Sequence, residues 1–385
     1  MEHFDIIIAG GGAAGLSLAY HLMLSPLRNM RILIIDKDDD DQLNRNWGYW
    51  LCEPTLYEAV SHHTWQQLDF ASYTYQQRFR LGKYQYHLMH GRDFYRYVLG
   101  QLAGCTNIKF LKSVIRDSGS SVDVAHVITD DGEYTGNWLF DSVIKFGEFK
   151  NGLSGGHLLK MHFKGWEIET PGLTFDTRAA RLFDLRTPQN EALRFFYLMP
   201  YAENRAFIEY TVFSKAVTPQ DAYVKALEEY IKSVLGIRDY RVISEENGVV
   251  PLTDNDFPRQ TGQRLMTIGS KAGRIKPSTG YSFMRIQKDS AQIVESLVKY
   301  GHPFAVARNG AFYRLCDRLL LDVMQQHGDE INAIFTAMFK QNPIDRILRF
   351  LDECNNPIDN FRLIVSLPPR LFIQAFIRNI VLRQL

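Results

Sequence analysis

The chain has 385 residues, enough for two or three domains and a large buried core. With 45% hydrophobic and 23% charged residues, the composition excludes a disordered chain and a small scaffold held together by disulfides. The formal net charge of +1 gives no overall field for binding nucleic acid, and no run of 18 apolar residues predicts a transmembrane helix.

The first residues and the cysteines indicate the cellular compartment of the protein. Residues 1–4 lead directly into a strand-like run without room for a signal peptide, so we expect a cytoplasmic protein. Cys52, Cys105, Cys316 and Cys354 are far apart and match no metal or redox spacing, so we expect reduced thiols and no metal site. Aromatic residues make up 13% of the chain, which favours a large apolar or π-rich cavity.

The first predicted elements form a strand, a helix and a second strand. The apolar run 4–9 (FDIIIA) predicts a buried strand, and a helical pattern over 16–24 follows a glycine segment. A second apolar run, 31–35, ends at Asp36, which would accept hydrogen bonds from a ribose and disfavours a 2′-phosphate. With the strand, the helix and the acid all in place, the pattern predicts dinucleotide binding, without separating FAD from NAD.

The glycine segment between strand and helix has the physical properties that a pyrophosphate requires. Gly10 permits a tight turn, Gly12 lets the backbone approach the phosphates, and Gly15 lets the helix pack closely on the strand. The helix N-terminus at Ala13 and Ala14 offers backbone N–H groups and a partial positive charge. We therefore predict that these five residues contact the cofactor.

The remaining pattern predicts a strand-rich middle and a helical end. Helices are expected over 92–103, 219–235 and about 281–300, and after Gly301 the chain is typical of helices only. Strands are expected over 122–128, 134–144, 158–169, 193–200, 205–213 and 265–269.

A second glycine-rich loop lies between the last predicted strand and the helix after it. It reads IGSKAGRIKPSTGYSF over 268–283, and Thr279 and Gly280 would place backbone N–H groups at the helix N-terminus. Such groups suit the partial negative charge of a flavin edge. Two glycine loops fit extended FAD better than NAD. The expected contacts of this loop are Gly269, Gly273, Pro277, Thr279, Gly280 and Tyr281.

Several ordered motifs resemble the flavin-dependent lycopene cyclase family, of the bacterial lycopene β-cyclase kind. The resemblance spans most of the chain and is most specific in the box around Glu209 and in the KPSTGY loop. The motifs are the glycine fingerprint with Asp36, 46–50 (NWGYW), 182–186 (LFDLR), 196–200 (FYLMP), 206–211 (AFIEYT) and 273–283 (GRIKPSTGYSF).

The resemblance implies a fold and an activity. The implied fold is α/β: a Rossmann-like FAD-binding domain of the aromatic-hydroxylase kind, with an inserted antiparallel β-sheet substrate domain and a helical C-terminal region. The implied activity is ring closure at the ends of lycopene, with FAD in the reduced form, NAD(P)H or another donor as reductant, and no net redox change. Two departures stand out: Tyr210 replaces the second acid of the family's box, and 140–144 (FDSVI) lacks the family's usual Arg or Gly.

The expected domain boundaries follow from this fold. The FAD-binding domain would comprise 1–75, 90–150 and 240–300. The substrate domain would comprise 151–239, with 76–89 as a candidate addition, and the helical region would comprise 301–385.

Cyclisation requires a strong acid, a base, cation stabilisers and a dry site. Glu209 is the candidate acid because burial on an apolar strand raises the pKa of a carboxyl, although a solvent-facing Glu209 is the alternative. Reduced flavin is a further candidate for the acid or the base. Aromatic faces would stabilise the cation by about 0.5–2 kcal/mol each. The predicted substrate pocket comprises Trp47, Tyr49, Trp50, Asp184, Phe196, Tyr197 and Phe207.

The C-terminal stretch is typical of a helix that lies on a membrane surface. Arg370, Gln374 and Arg378 recur at helical spacing, and Phe372, Ile373, Phe376, Ile377 and Ile380 lie on the other side. We expect it to hold the protein at a bilayer that contains lycopene, while a terminal helix packed on its own domain is the alternative.

Three other functions fit parts of the pattern. They are a FAD monooxygenase or halogenase, a prenyl reductase acting on an apolar substrate, and a non-catalytic flavin-binding membrane module. The sequence leaves open the number of rings formed, β or ε geometry, the electron donor and the oligomeric state.

Overall fold

The computed structural model describes residues 1–37, 45–144, 156–307 and 310–381. The chain divides into two compact units. Unit 1 comprises Met1–Trp47, His90–Gly155 and Asn255–Asn309, and unit 2 comprises Gly48–Met89, Gly156–Asp254 and Gly310–Leu385.

This division differs from the predicted boundaries in two places. Residues 48–75, expected in the FAD-binding domain, belong to unit 2, and so do residues 240–254. The C-terminal helices are part of unit 2 as well and do not form a separate region.

The strands and helices are numbered in chain order. The strands are β1 Glu2–Ala9, β2 Ile32–Asp36, β3 Asn46–Leu51, β4 His63–Trp65, β5 Gln67–Ala71, β6 Gln76–Arg80, β7 Gln85–His90, β8 Ile108–Lys112, β9 Ile115–Ser120, β10 Ala125–Thr129, β11 Gly132–Asp141, β12 Leu158–Glu169, β13 Ala179–Asp184, β14 Leu193–Ala202, β15 Arg205–Ser214, β16 Arg241–Thr253 and β17 Leu265–Thr267. The helices are α1 Ala13–Met23, α2 Gly91–Leu102, α3 Gln220–Glu229, α4 Phe283–Tyr300, α5 Ala311–Gln326, α6 Ile331–Gln341, α7 Ile344–Leu351, α8 Pro357–Val365 and α9 Pro369–Phe376.

Unit 1 is built on a seven-stranded sheet of order β8-β2-β1-β11-β10-β9, with β17 beside β11. Strands β8, β2, β1, β11 and β17 run parallel to one another, and β9, β10 and β11 form an antiparallel meander. Because parallel strands are covered on both faces, β1 is a continuous apolar run in which Ile6, Ile7 and Ile8 are fully buried. Helices α1 and α4 are joined by a hydrogen bond from Gln287 Nε2 to Ser17 Oγ at 2.7 Å.

Unit 2 is built on a second seven-stranded sheet, of order β16-β12-β15-β14-β13-β5-β6. All its neighbours are antiparallel except β13 and β5. A three-stranded sheet of order β3-β7-β4 accompanies it. Within the described ranges, no helix is both long and apolar enough to cross a bilayer.

The two faces of the unit 2 sheet differ in their coverage. On one face, which we call the core face, Phe196, Ile208 and Tyr210 pack with Tyr223 and Tyr230 from α3 and the turn after it. The other face, which we call the acid face, carries Phe195, Tyr197, Phe207, Glu209 and Thr211 by strand alternation.

Candidate functional site

The first glycine segment forms a turn that only glycine can occupy. Gly10 has a φ of +101°, and a Cβ there would lie 2.2 Å from Ser142 Oγ. A Cβ on Gly15 would lie 1.9 Å from the Gly10 carbonyl oxygen, so α1 packs directly against this turn. Gly12 is the N-cap of α1, and the Gly11 N–H donates to the Asp36 carboxylate at the end of β2. This geometry agrees with the predicted dinucleotide fingerprint.

The second glycine loop meets the first in unit 1. Gly269 has a φ of +63°, and a Cβ there would lie 2.6 Å from Ala14 Cβ at the N-terminus of α1. The loop is fixed to the end of β11, because Lys271 Nζ forms an ion pair with Asp141 Oδ2 at 2.6 Å. The two segments, far apart in sequence, therefore line one glycine-rich cradle.

The later part of this loop differs from expectation. Helix α4 begins at Phe283, and the Thr279 and Gly280 N–H groups donate to the Lys276 carbonyl at 3.2 and 2.9 Å. The expected position of these two amides at the helix N-terminus is wrong, because Lys276-Pro277-Ser278-Thr279-Gly280 closes a tight turn in which they bond internally, and their contact with a cofactor stays a prediction.

Two other glycines lie in the second loop, and an aromatic residue lies near its end. Gly280 has a φ of +79°, and a Cβ on Gly273 would lie 2.6 Å from the Phe257 ring. Trp47, predicted for the substrate pocket, stacks on Phe283 at the start of α4 with ring centroids 5.2 Å apart. It thus belongs to unit 1.

The cradle fits a dinucleotide such as FAD. A close-packed glycine turn, the N-terminus of α1 and a carboxylate ending the second strand suit pyrophosphate and ribose.

Glu209 occupies the middle of β15 on the acid face of the unit 2 sheet. Its register partners are Tyr197 on β14 and Gly165 on β12, and the Thr211 hydroxyl donates to Glu209 Oε1 at 2.6 Å. Protein atoms surround the carboxyl closely, although part of the residue's surface stays accessible. Burial outweighs the Thr211 hydrogen bond and raises the pKa of Glu209 to about 7. Near neutral pH the carboxyl can therefore hold a proton.

Aromatic rings surround Glu209 on the acid face. Tyr197 lies directly opposite it, and the Phe207 ring extends over Gly165, where a Cβ would lie 2.3 Å from Phe207 Cζ. Phe195 packs edge-on against Tyr197 with centroids 5.1 Å apart. These contacts place the predicted residues Tyr197 and Phe207 beside the candidate acid.

Tyr49 and Trp50 lie on β3, in the three-stranded sheet, and both are buried. Tyr49 stacks on His87 at 5.3 Å with an angle of 6° between the rings. Burial lowers the pKa of His87 to about 4, so its ring is neutral at physiological pH. His87 had no signal in the sequence.

Two predicted pocket residues lie on the core face. Phe196 stacks between Tyr210 and Tyr230, with ring centroids 4.7 and 3.9 Å away, and it contributes to the hydrophobic core. Asp184 is fully buried and accepts from Arg186 Nη2 at 2.6 Å and from the Tyr230 hydroxyl at 2.7 Å. Strand alternation turns both away from Glu209, so the structure does not bring them together with the candidate acid, and their place in a substrate pocket stays a prediction.

Glu246 is a buried acid that has no local signal in the sequence. It is 5% exposed and lies on β16 in register with Gly165, the same residue that faces Glu209 from β12. Adjacent acids in a polar stretch (SEENG) are typical of solvent-exposed chain, and only the strand register distinguishes this one.

The C-terminal helix also differs from expectation. Helix α9 ends at Phe376, and Arg378 in the following turn forms an ion pair with buried Asp322 at 3.1 Å. Arg378 therefore pairs with a buried carboxylate of its own unit. Leu371 and Ala375 face inward, whereas the side chain of Ile380 and residues 382–385 lie outside the described part of the chain.

The fold and the cradle define a protein with the architecture of FAD-dependent enzymes of the aromatic-hydroxylase kind. The structure of the flavin-dependent brominase Bmp2 is similar to that of this chain, with a TM-score of 0.63 and 13% sequence identity. The match covers 98% of this chain and 99% of the brominase. A geranylgeranyl bacteriochlorophyll reductase-like protein from Thermoplasma acidophilum has a TM-score of 0.61 at 15% identity, covering 99% and 97%.

Within that class, the sequence specifies one family. The family model described as "Lycopene cyclase protein" matches residues 5–376, and the chain belongs to this family. Neoxanthin synthase of Solanum tuberosum is 26% identical over 318 residues, which is 77% of this chain and 61% of that protein. Lycopene beta cyclase of Arabidopsis thaliana is 28% identical over 131 residues, 33% of this chain and 25% of that protein. The chain thus spans about three fifths of the first relative's length.

Proposed function

We propose that the protein is a lycopene β-cyclase, which converts the linear ends of lycopene into β-ionone rings to give γ-carotene and then β-carotene. The observation that carries this proposal is Glu209, a buried carboxyl with a pKa raised to about 7 on an aromatic sheet face, in a member of the lycopene cyclase family.

Protonation of a terminal double bond by Glu209 begins the reaction. The tertiary cation that forms is attacked by a neighbouring double bond, and a six-membered ring closes. The rings of Tyr197 and Phe207 stabilise positive charge through their π faces, and the apolar surroundings exclude water that would quench the cation. Loss of a ring proton then gives the β-ionone double bond, so the substrate is isomerised without net oxidation or reduction.

We propose that the cradle of unit 1 holds FAD. Gly10, Gly12 and Gly15 would admit the pyrophosphate, Asp36 would hold the ribose, and Gly269 would leave room beside the α1 N-terminus. When bound and reduced by NAD(P)H or another donor, FAD would supply an electron-rich ring that favours formation of positive charge.

Glu209→Gln tests the role of the acid. Gln is nearly isosteric but cannot donate a proton, so ring formation should fall at least about 10²-fold, a typical contribution of general acid catalysis. FAD content should stay at the wild-type level, because the cradle belongs to unit 1. Ring formation is measured by chromatography of carotenoids from a lycopene-producing host. Wild-type ring formation by the variant would remove Glu209 from the mechanism.

We also propose that the protein binds a lipid surface through the last helices of unit 2, because lycopene dissolves in bilayers. Helix α8 exposes Phe361 and Val365, which are 66% and 60% accessible, and α9 exposes Ile373 at 57%. Arg362 and Arg370 are exposed on the same helices and suit anionic headgroups.

A further inference from the structure

Two residues with carboxyl groups lie on one rung of the unit 2 sheet, meaning one row of residues that are in register across neighbouring strands. Glu246 on β16 is in register with Gly165 on β12, Gly165 is in register with Glu209 on β15, and Glu209 is in register with Tyr197 on β14. Residues directly opposite each other on neighbouring strands project from the same face. Building on the proposed cyclase function, we propose that Glu246 is the base that removes the ring proton.

The spacing of the rung suits two groups acting on one end of a substrate. Neighbouring strands are about 4.8 Å apart, so the backbones of Glu209 and Glu246 are separated by about 10 Å. Gly165 between them has no side chain, and the space above it is filled by the Phe207 ring. The far end of the Phe207 ring therefore lies at the position between Glu209 and Glu246, and an aromatic ring beside both carboxyls suits a cation formed by the first and discharged by the second.

The orientation of Glu246 is supported by contacts along β16. Two residues before it, Ser244 Oγ donates to Glu167 Oε2 at 2.9 Å across the acid face. Its neighbour Glu245 points to the other face, where its half-exposed side chain binds Lys164 Nζ at 2.5 Å. Alternation thus places Glu246 with Glu209 and Glu245 apart from both.

The burial of Glu246 also points to function. Only 5% of the surface of Glu246 is exposed, so its side chain lies inside unit 2 and not in solvent, as a base in a dry site must. Two acids in one water-poor site are typical of acid–base catalysis, in which one group donates a proton and the other accepts one.

The proton balance needs no other reactant. Glu209 in its carboxylic acid form gives a proton to the terminal double bond and becomes a carboxylate. The internal double bond then forms the ring bond, and the positive charge moves to a ring carbon. The Glu246 carboxylate takes the adjacent proton, the C–H electron pair becomes the ring double bond, and Glu246 is left protonated. After the product leaves, Glu246 loses its proton to solvent and Glu209 takes one up, which restores both groups.

The test compares Glu246→Gln with Glu245→Gln, a matched change one residue away on the opposite face. FAD-loaded, dithionite-reduced protein is given lycopene in D₂O, and carotenoids are analysed by mass spectrometry. We expect Glu246→Gln to form rings at least 100-fold more slowly than wild type and Glu245→Gln to stay within twofold. Lycopene recovered from Glu246→Gln should contain deuterium at its ends, because Glu209 still protonates it reversibly, whereas lycopene recovered from Glu209→Gln should contain none.

The outcomes separate this role from the cyclase function itself. Ring formation by Glu246→Gln within fivefold of wild type would overturn the base assignment, and so would slow ring formation without deuterium uptake. If Glu246→Gln fails to fold, Glu246→Asp replaces it: a shorter base should slow ring formation about tenfold or more and retain deuterium uptake, and unchanged rates would overturn the role. Absence of rings from both wild type and Glu245→Gln would instead show that the proposed function is wrong.

Discussion

Glu209 connects the stability of the protein with its proposed chemistry. The carboxyl has an ordinary pKa of 4.5 in an unfolded chain, and burial raises the pKa to about 7 in the folded protein. The folded state therefore binds the proton more tightly. The contribution of protonated Glu209 to the free energy of unfolding is fully present below pH 4.5. It is lost as the pH rises through 7, because the folded protein must then hold a buried carboxylate.

Glu209→Gln should consequently be more stable than wild type in alkaline solution. Gln is neutral at every pH, so the two proteins should have similar unfolding temperatures near pH 4.5. At pH 8 the free energy of unfolding of the variant should exceed that of wild type by about 2–3 kcal/mol, which corresponds to an unfolding temperature several degrees higher. Thermal unfolding followed by circular dichroism measures this, with Glu245→Gln as the exposed control. Equal midpoints of wild type and variant at pH 8 would contradict a raised pKa.

Single residues were predictable where a local pattern determined their position. The family box and strand alternation placed Glu209 with Phe207. The same alternation could have separated Phe196 from Tyr197, because adjacent strand residues face opposite ways, yet both were assigned to the pocket. Glu246 could not be found locally, since its position depends on how β16 aligns with β12.

Elements with a continuous apolar run or a clear helical period were predicted to within a few residues. Strand β1 and helix α2 are of this kind. Strand β16 was missed because it lies at the edge of its sheet, where most of its residues are exposed and its sequence is polar. A period of apolar residues cannot reveal a strand whose apolar contacts are few.

At the level of single helices, α8 and α9 define the lipid-binding prediction. Phe361→Ser combined with Val365→Ser should reduce flotation with vesicles of phosphatidylglycerol and phosphatidylcholine by about tenfold or more, since burial of such a side chain is worth about 1.5–3 kcal/mol. The matched control is Leu173→Ser with Val249→Ser, because these residues are 80% and 54% exposed elsewhere in unit 2.

Equal flotation of the two double variants would contradict docking through α8. Point substitutions are preferable to deletion of 370–385, because the buried residues Leu371 and Ala375 and the Arg378–Asp322 ion pair hold this segment onto unit 2. A truncated chain would lose packing as well as any lipid contact.

For the whole molecule, the nested architecture was predictable and its boundaries were not. The glycine fingerprint, the meander and the antiparallel strands indicated an FAD-binding domain with an inserted sheet. The assignment of 48–75 and the C-terminal helices to unit 2 depends on long-range contacts, such as the parallel pairing of β5 with β13 and the stacking of Phe70 on Phe339 at 4.3 Å. Such contacts have no local signature.

The most direct test of the central claim is the conversion of lycopene by wild-type, dithionite-reduced protein without oxygen. Ring closure by acid and base predicts γ-carotene and β-carotene with the same mass as lycopene and with no stoichiometric consumption of reductant. A product heavier by oxygen or halogen, a product with added hydrogen, or unchanged lycopene would contradict cyclisation.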